Sequence, residues 1–146
     1  MTCESPSLIT NKEGNMKKIG ILNKEISAVV AGMGHNDQLV ICDAGLPIPA
    51  GTRRIDLAVK QGIPGFIETV EAIAEELKID RIILAEETGR TSPHIEKELA
   101  RIFKDSKVEK ISHEELKRLT QFAKAVVRTG EFTPYANVIL VSGVIF

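Results

Sequence analysis

Two ionisable side chains flank a short apolar segment of the sequence. His35 follows a Gly-x-Gly, Asp43 opens a Gly/Pro-rich turn, and the apolar run 39–42 lies between them. An imidazole, with an ordinary pKa of about 6.5, and a carboxylate are common partners in proton transfer near neutral pH. A strand of about five residues spans roughly 17 Å. The two side chains can therefore meet only if the loop 34–38 folds back over the strand or a neighbouring subunit supplies one of them.

The residues of this segment allow two other interpretations. His35, Asp37 and Asp43 offer the imidazole and carboxylate groups that bind divalent metals, but an aspartate just after a helix end is typical of a turn. His35 itself, at a predicted helix C-terminus, gains from positive charge there without any catalytic task. The pattern leaves the catalytic and the structural interpretation of His35 open.

Further polar side chains lie at positions suited to binding. His113 is expected at the first position of a helix capped by Ser112, where a surface role is the simpler interpretation. Tyr135, the only tyrosine, and Asn137 lie in a Pro-containing loop between two apolar segments. They offer the hydroxyl and amide groups that a polyhydroxylated ligand requires, although a tyrosine at a subunit contact explains Tyr135 equally well. His94 has no companion motif and is interpreted as a surface residue.

Several function classes find no support in the sequence. Gly32-Met33-Gly34 ends a predicted helix, whereas the dinucleotide fingerprint follows a strand and opens a helix, so we interpret it as a helix C-cap. There is no P-loop motif and no Gly-x-Ser-x-Gly. A net charge of -1, with acidic and basic residues interspersed, provides no basic patch for nucleic acid or anionic lipid. The apolar runs are too short to cross a bilayer.

Cysteine content and the first residues bear on compartment and domain boundaries. Cys3 and Cys42 form neither a disulfide framework nor a zinc site, which fits a reducing cytoplasm. Residues 1–15 lack the features of a secretory signal and are expected to be a mobile leader or an added extension. The globular pattern begins at Met16, which fits an original start, and residues 16–146 are predicted to form a single domain.

The hydrophobic pattern alternates between strands and helices. Helices are predicted from Asn23, beyond Pro64, from Ser92 to about Phe103, and from the Ser112 capping box. Strands are predicted at LVICD, RRIDLAV, RIILA, VEKI, AVVRTG and NVILVSGVIF. The last two are joined by too few residues for a helical crossover, and we predict that they are antiparallel neighbours. The expected fold is α/β, a three-layer α/β/α sandwich around a mostly parallel mixed sheet with a late antiparallel strand.

Longer motifs resemble a known enzyme family. MKKIGILNKEI, MGHNDQLVICDAGLPIP, IDLAVKQGIP, SHEEL and RTGEFTPYANVILVSGVIF occur in that order, and together they closely resemble the D-ribose pyranases, the sister group of the L-fucose mutarotases. The resemblance runs from Met16 to Phe146. The forms DAGLPIP and FTPYAN favour the ribose branch.

The resemblance implies a reaction and an assembly. The reaction is the interconversion of the β-pyranose and β-furanose forms of D-ribose, with neither cofactor nor metal. The assembly is a cytoplasmic homo-oligomer, usually a decamer of two pentameric rings. Carried over by matching motifs, the resemblance assigns His35 as the proton donor and gives the sugar-binding residues as Asp43, His113, Tyr135 and Asn137.

Ring opening and closure of a hemiacetal is a matter of proton transfer. One proton leaves the anomeric hydroxyl and another reaches the ring oxygen, and no redox cofactor is required. We expect His35 to donate to the ring oxygen, Asp43 to bind a sugar hydroxyl or orient His35, and His113 or a water to receive the anomeric proton. Two other functions stay open: a non-catalytic sugar-binding or transport-accessory ring protein, and an L-fucose mutarotase.

Overall fold

Six strands form one mixed sheet in the computed structural model, which describes residues 16–146; the predicted leader, residues 1–15, lies outside the described residues. The strands are β1 (Gln38–Cys42), β2 (Arg54–Asp56), β3 (Ile79–Ala85), β4 (Lys107–Ile111), β5 (Ala125–Arg128) and β6 (Val138–Ser142). Their spatial order is β2-β5-β1-β6-β3-β4. Strand β6 is antiparallel to both of its neighbours, and the other pairs are parallel. The predicted mixed sheet with a late antiparallel strand is confirmed.

The predicted pairing of the last two strands is wrong, because β1 lies between β5 and β6. Leu39 of β1 is paired with Ala125 of β5 on one side and with Leu140 of β6 on the other. The four apolar residues 39–42 are fully buried, and a strand buried on both faces favours a central position in the sheet. The connection between β5 and β6 therefore passes over the end of β1.

Within residues 16–146, five α-helices and a short 3-10 helix accompany the sheet. They are α1 (Lys24–Gly32), α2 (Phe66–Ala74), α3 (Glu86–Thr91), α4 (Pro93–Ile102), α5 (His113–Leu119) and the 3-10 helix Thr120–Phe122. The short α3 follows β3 directly. It was not predicted from the sequence, because its six residues, EETGRT, have no apolar periodicity.

The predicted helix N-caps differ in how they are built. Asn23 accepts a hydrogen bond from the Ile26 N–H at 2.8 Å, and Ser112 accepts one from the Glu115 N–H at 3.1 Å. Ser92 occupies the cap position of α4, but its side chain makes no capping hydrogen bond. Its hydroxyl instead donates to the Pro134 carbonyl at 2.7 Å, so this predicted cap serves to hold a distant loop.

Side chains of successive strand residues enter two apolar cores on opposite faces of the sheet. Leu39 and Ile41 belong to a core that also contains residues of α1, α2 and α4. Val40 and Cys42 belong to a second core, which contains Leu116 of α5. Burying each large apolar side chain stabilises the fold by about 1.5 to 3 kcal/mol. Helices cover both faces, and the predicted three-layer arrangement is confirmed.

The sheet has two ends that matter for function. The carboxyl edge is the end of the sheet at which the five mutually parallel strands finish and β6 begins. The amino edge is the opposite end, at which those five strands begin and β6 finishes. Because β1 connects the two edges, the residues before and after it lie at opposite ends of the sheet.

Among the helices of residues 16–146, none combines the length and apolar character needed to span a bilayer.

Candidate functional site

Asp43 and Asn137 lie side by side at the carboxyl edge, where β1 ends and β6 begins. The Asp43 N–H donates to Asn137 Oδ1 at 2.9 Å, and the Gly45 N–H donates to Asp43 Oδ1 at 3.0 Å. Asn137 is fully buried, and its Nδ2 has no hydrogen-bond partner among the described residues. Leaving a buried donor unpaired costs about 1 to 3 kcal/mol. The amide group is therefore suited to a ligand oxygen.

The Asp43 carboxyl group is partly withdrawn from water. Burial raises the pKa of Asp43 above its ordinary value, although hydrogen bonds from the Gly45 and Leu46 N–H groups oppose this. The Asn137 side chain and the nearby His113 also act to lower the pKa of Asp43. A partly desolvated carboxyl group of this kind is well placed to bind sugar hydroxyls.

His113 and Tyr135 form an aromatic pair at the same edge. Their ring centroids are 5.0 Å apart, and the ring planes meet at 82°, an edge-to-face contact. His113 is the first residue of α5, as predicted, and its N–H donates to Glu87 Oε1 at 3.0 Å. The ring atom Nδ1 of His113 is buried and has no partner among residues 16–146, so it can exchange a hydrogen bond with a ligand.

The loop that carries Tyr135 is held by hydrogen bonds to its backbone. Tyr135 has a φ of 62°, a conformation uncommon for a residue with a side chain. Its carbonyl accepts from the Thr88 hydroxyl at 2.8 Å and from the Asn137 N–H at 2.9 Å. Together with the bond from Ser92 to Pro134, these contacts fix the direction of the tyrosine side chain.

Two adjoining clefts open at the carboxyl edge. One has a volume of about 290 Å³ and is lined by Asp43, Gly45, Leu46, Pro47, His113, Pro134 and Tyr135. The other has a volume of about 360 Å³ and is lined by Asp43, Ala44, Gly45, Arg128, Glu131 and Phe132. Both contain Asp43, and their size suits a small ligand.

Charged residues of the second cleft are fixed by hydrogen bonds. Arg128 donates from Nε to the Ala44 carbonyl at 3.0 Å and from one terminal nitrogen to both Asp56 carboxylate oxygens at 3.1 Å. Glu131 accepts from the Phe66 N–H at 2.9 Å. Partial burial acts to raise the pKa of Glu131, but hydrogen bonds from Phe66 and Thr133 prevail and lower it. The cleft therefore has a rigid polar wall.

His35 lies at the other end of the sheet, at the amino edge. Its Nε2 is 3.2 Å from Oδ2 of Asp80, a residue of β3 that sequence analysis did not single out. The loop before β1 does not fold back over the carboxyl edge, because it is hydrogen-bonded to the end of β6 through Asn36 and Asp37. Within one chain, His35 and Asp43 are therefore separated by the whole of β1, and Asp43 cannot orient this His35.

The remaining candidate groups have structural explanations. Asp37 accepts from the Gly34 N–H at 2.8 Å, as expected of a turn former, and the separation of His35 from Asp43 prevents these residues from sharing a metal within one chain. Within residues 16–146 no group of three or more His, Cys, Asp or Glu side chains could hold a metal ion. Burial raises the pKa of the Cys42 thiol to about 12, so it is not a nucleophile near neutral pH.

Some residues of the carboxyl edge were not predicted as site residues from the sequence. Glu87 and Thr88, which make hydrogen bonds to the backbone of His113 and Tyr135, lie in α3, the helix that follows β3 directly. Ligands of open α/β sheets bind beyond the carboxyl ends of strands, so their position after a predicted strand was an available signal. Arg128, at the end of β5, carried the same signal.

Comparison with known proteins identifies the family of this chain. The profile of the RbsD / FucU transport protein family matches residues 16–145. The chain belongs to this family. The resemblance to the D-ribose pyranases is confirmed by curated relatives. A D-ribose pyranase of Clostridium perfringens is 56% identical over 131 residues, which is 90% of this chain and 100% of the relative.

Solved structures of the family have the same fold. The structure of Bacillus subtilis RbsD complexed with D-ribose matches with a TM-score of 0.87 and 49% identity, covering 90% of this chain and 100% of that one. FucU from Bifidobacterium longum matches with a TM-score of 0.73 and 25% identity, covering 86% and 97%. The ribose-complexed member is thus much more similar to this chain than this FucU member.

Proposed function

We propose that this protein is a D-ribose pyranase, a cofactor-free enzyme that interconverts the β-pyranose and β-furanose forms of D-ribose. The observation that carries the proposal is the match over the full length of a family member whose structure was solved with D-ribose. Curated relatives of 49 to 56% identity that cover 90% of the chain are D-ribose pyranases, which supports the same reaction here.

The reaction requires little beyond proton transfer. A hemiacetal opens when the anomeric hydroxyl loses a proton and the ring oxygen gains one, and it closes again through a different hydroxyl. General acid or base assistance contributes about 10²- to 10⁴-fold in rate. That is sufficient for a reaction that also proceeds without an enzyme in water, and no covalent intermediate is required.

The carboxyl edge supplies the sugar-binding part of the proposed site. The carboxylate of Asp43, the unpartnered amide of Asn137 and the Tyr135 hydroxyl bind sugar hydroxyls. His113, with its unpartnered Nδ1, binds the sugar and receives the anomeric proton, directly or through a water. The shared cleft around Asp43 supports this assignment, because all four side chains belong to one edge of the sheet.

His35 is the proposed proton donor, and it acts on the sugar held by a neighbouring subunit. Within one chain it lies at the amino edge, so a contact between the amino edge of one copy and the carboxyl edge of the next is required. Such a head-to-tail contact closes into a ring when the rotation between copies closes. This agrees with the proposed assembly, a decamer of two pentameric rings, and we place the enzyme in the cytoplasm.

The proposal is tested by nuclear magnetic resonance exchange measurements on D-ribose. Saturation transfer between pyranose and furanose signals should be accelerated by the wild-type chain. His35→Ala should lower this acceleration by about 10²- to 10⁴-fold, whereas His94→Ala, a matched change at an exposed histidine, should leave it unchanged.

Two rival functions predict different results. A non-catalytic sugar-binding protein would bind ribose without accelerating its exchange. An L-fucose mutarotase would accelerate exchange between fucose anomers much more than exchange of ribose. Either result with the wild-type chain would contradict the proposal.

A further inference from the structure

We propose that Asp80 is the positioning residue of His35: its carboxylate holds the imidazole in one orientation and one tautomer, with Nδ1 directed to the substrate. The inference rests on the proposed role of His35 as proton donor. A carboxylate can only accept a hydrogen bond, so the 3.2 Å contact assigns the proton of the neutral ring to Nε2. Nδ1 is then the nitrogen that gains and loses the transferred proton.

A local irregularity of the sheet places the Asp80 side chain. The register between β3 and β6 shifts from Ile79 opposite Ser142 to Arg81 opposite Val141. Two residues of β3 are thus matched by one of β6, and Asp80 is the extra residue of a β-bulge. Bulges commonly redirect a side chain next to a functional site.

Gly143 provides the room that the Asp80 carboxylate occupies. A Cβ atom built on Gly143 would overlap Oδ1 of Asp80 and crowd its Cγ. The Gly143 N–H donates to the Lys78 carbonyl at 2.8 Å, so the backbone here is tied to the start of β3. The missing side chain at position 143 is therefore what allows the carboxylate to lie against His35.

The loop that carries His35 is anchored to the same end of β6. The Asn36 N–H donates to the Ser142 carbonyl at 2.9 Å, and the Ser142 N–H donates to the Asp37 carbonyl at 2.9 Å. The Ser142 hydroxyl donates to the Gly34 carbonyl. Both members of the pair are thus attached to one short stretch of backbone, which sets their relative position.

The contribution of the pair lies in orientation rather than in fold stability. The side chains of His35 and Asp80 are 53% and 44% exposed, and exposed ion pairs contribute little to stability. A hydrogen bond that fixes one ring nitrogen nonetheless determines which nitrogen meets the substrate. Misplacing a catalytic group by about 1 Å can cost on the order of 10²-fold in rate.

The experiment combines the tautomer of His35 with ribose exchange kinetics. The chain has three histidines, so the ¹⁵N resonances of the His35 ring can be assigned by comparison with His94→Gln and His113→Gln. The wild-type ring should be protonated at Nε2. Asp80→Ala should give a mixture of tautomers and lower kcat by about 10- to 10²-fold with little change in KM.

Two further variants separate positioning from general damage. Gly143→Ala leaves both residues of the pair unchanged, but its Cβ would overlap the Asp80 carboxylate. It should therefore displace the carboxylate and reproduce the mixed tautomer and part of the loss in kcat. Asp80→Asn retains an acceptor oxygen in the same shape and should recover part of the activity lost in Asp80→Ala. Glu98→Ala removes another exposed carboxylate, which pairs with Arg101, and should change neither quantity.

The inference is overturned if Asp80→Ala keeps the wild-type tautomer of His35, whether or not kcat falls. It is also overturned if the tautomer changes while kcat stays at the wild-type value. Failure of the proposed function is distinct, because a wild-type chain that does not accelerate ribose exchange fails before any variant is made. The tautomer measurement requires no substrate.

Discussion

The two edges of the sheet carry polar residues in different ways. At the carboxyl edge, Asn137 is fully buried and Asp43 is partly buried, and their hydrogen bonds are part of the packed structure. At the amino edge, the side chains of His35 and Asp80 are about half exposed and contact each other. One edge thus forms a cleft lined by partly buried polar groups, whereas the other presents the proposed proton donor on an anchored loop.

In the proposed function, each edge is half of a site. The cleft around Asp43 has binding groups and, in the proposed mechanism, receives its proton donor from elsewhere. His35 contacts Asp80 and lies at the opposite end of the sheet from the cleft around Asp43. A head-to-tail contact between copies joins the two halves without any change in the fold.

Mixing two inactive variants gives the largest expected effect. His35→Ala and Asp43→Ala should each lower ribose exchange by at least about 100-fold. Unfolded together in equal amounts and refolded, they should regain about a quarter of the wild-type sites, because one site in four receives both native halves when edges pair between copies. Exchange is measured by saturation transfer at a fixed total protein concentration.

A second mixture provides the control for this prediction. Refolding His35→Ala with His94→Ala should give about half of the wild-type rate, since half of the sites receive a native His35. If the first mixture stays as inactive as its components while the second recovers, the two halves do not combine between subunits.

Removing one polar side chain from each edge should have unequal effects on stability. Asn137→Ala leaves the partly buried Asp43 N–H without its acceptor and should lower the free energy of unfolding by about 1 to 3 kcal/mol. His35→Ala removes an exposed side chain and should change it by less than about 0.5 kcal/mol. Urea denaturation at one protein concentration compares the two, and equal losses would contradict the contrast between the edges.

The smallest expected effect is a pH-dependent change in stability at the carboxyl edge. Because burial raises the pKa of Asp43 in the folded state, its favourable contribution is full below the unfolded pKa and is lost as pH rises through the folded value. Asp43→Asn should therefore melt at a higher temperature than the wild type at pH 7, and this gain should shrink on acidification.

Asp56→Asn is the matched control, and its melting temperature should change in the opposite direction. Burial acts to raise the pKa of Asp56, but hydrogen bonds from the Ala58 N–H and Arg128 prevail and lower it. Its stabilising contribution is present above the unfolded pKa and is lost on acidification. Asp56→Asn should melt below the wild type at pH 7 and approach it in acid. If Asp43→Asn instead melts below the wild type at pH 7 and approaches it in acid, burial does not determine the direction of the Asp43 pKa shift.

Much of the fold was predictable because local patterns determine it. The apolar run 39–42 predicted a strand buried on both faces, and Asn23 and Ser112 marked helix starts by their side chains. The position of β1 between β5 and β6 was not predicted. Pairing between strands distant in sequence depends on which surfaces become buried together, and a short connection does not reveal how many strands it passes.

The candidate site was predictable in its residue types, whereas its proposed division between two edges was one of two alternatives that the sequence left open. Asp43 was identified from its place at a strand end, and Tyr135 and Asn137 from a loop between two strands. Their roles followed from the resemblance, and the structure brings all three to one edge with His113. Asp80 was missed because its role depends on a bulge and on the absent side chain of Gly143. A register shift of this kind leaves no periodic pattern in a sequence.

The length of β1 sets the distance between the two edges of the sheet. One inserted residue would send every following side chain to the opposite face, and two would restore the faces but increase the spacing between the half-sites by about 7 Å. Among functional variants of this chain, we therefore expect no change in the length of the strand.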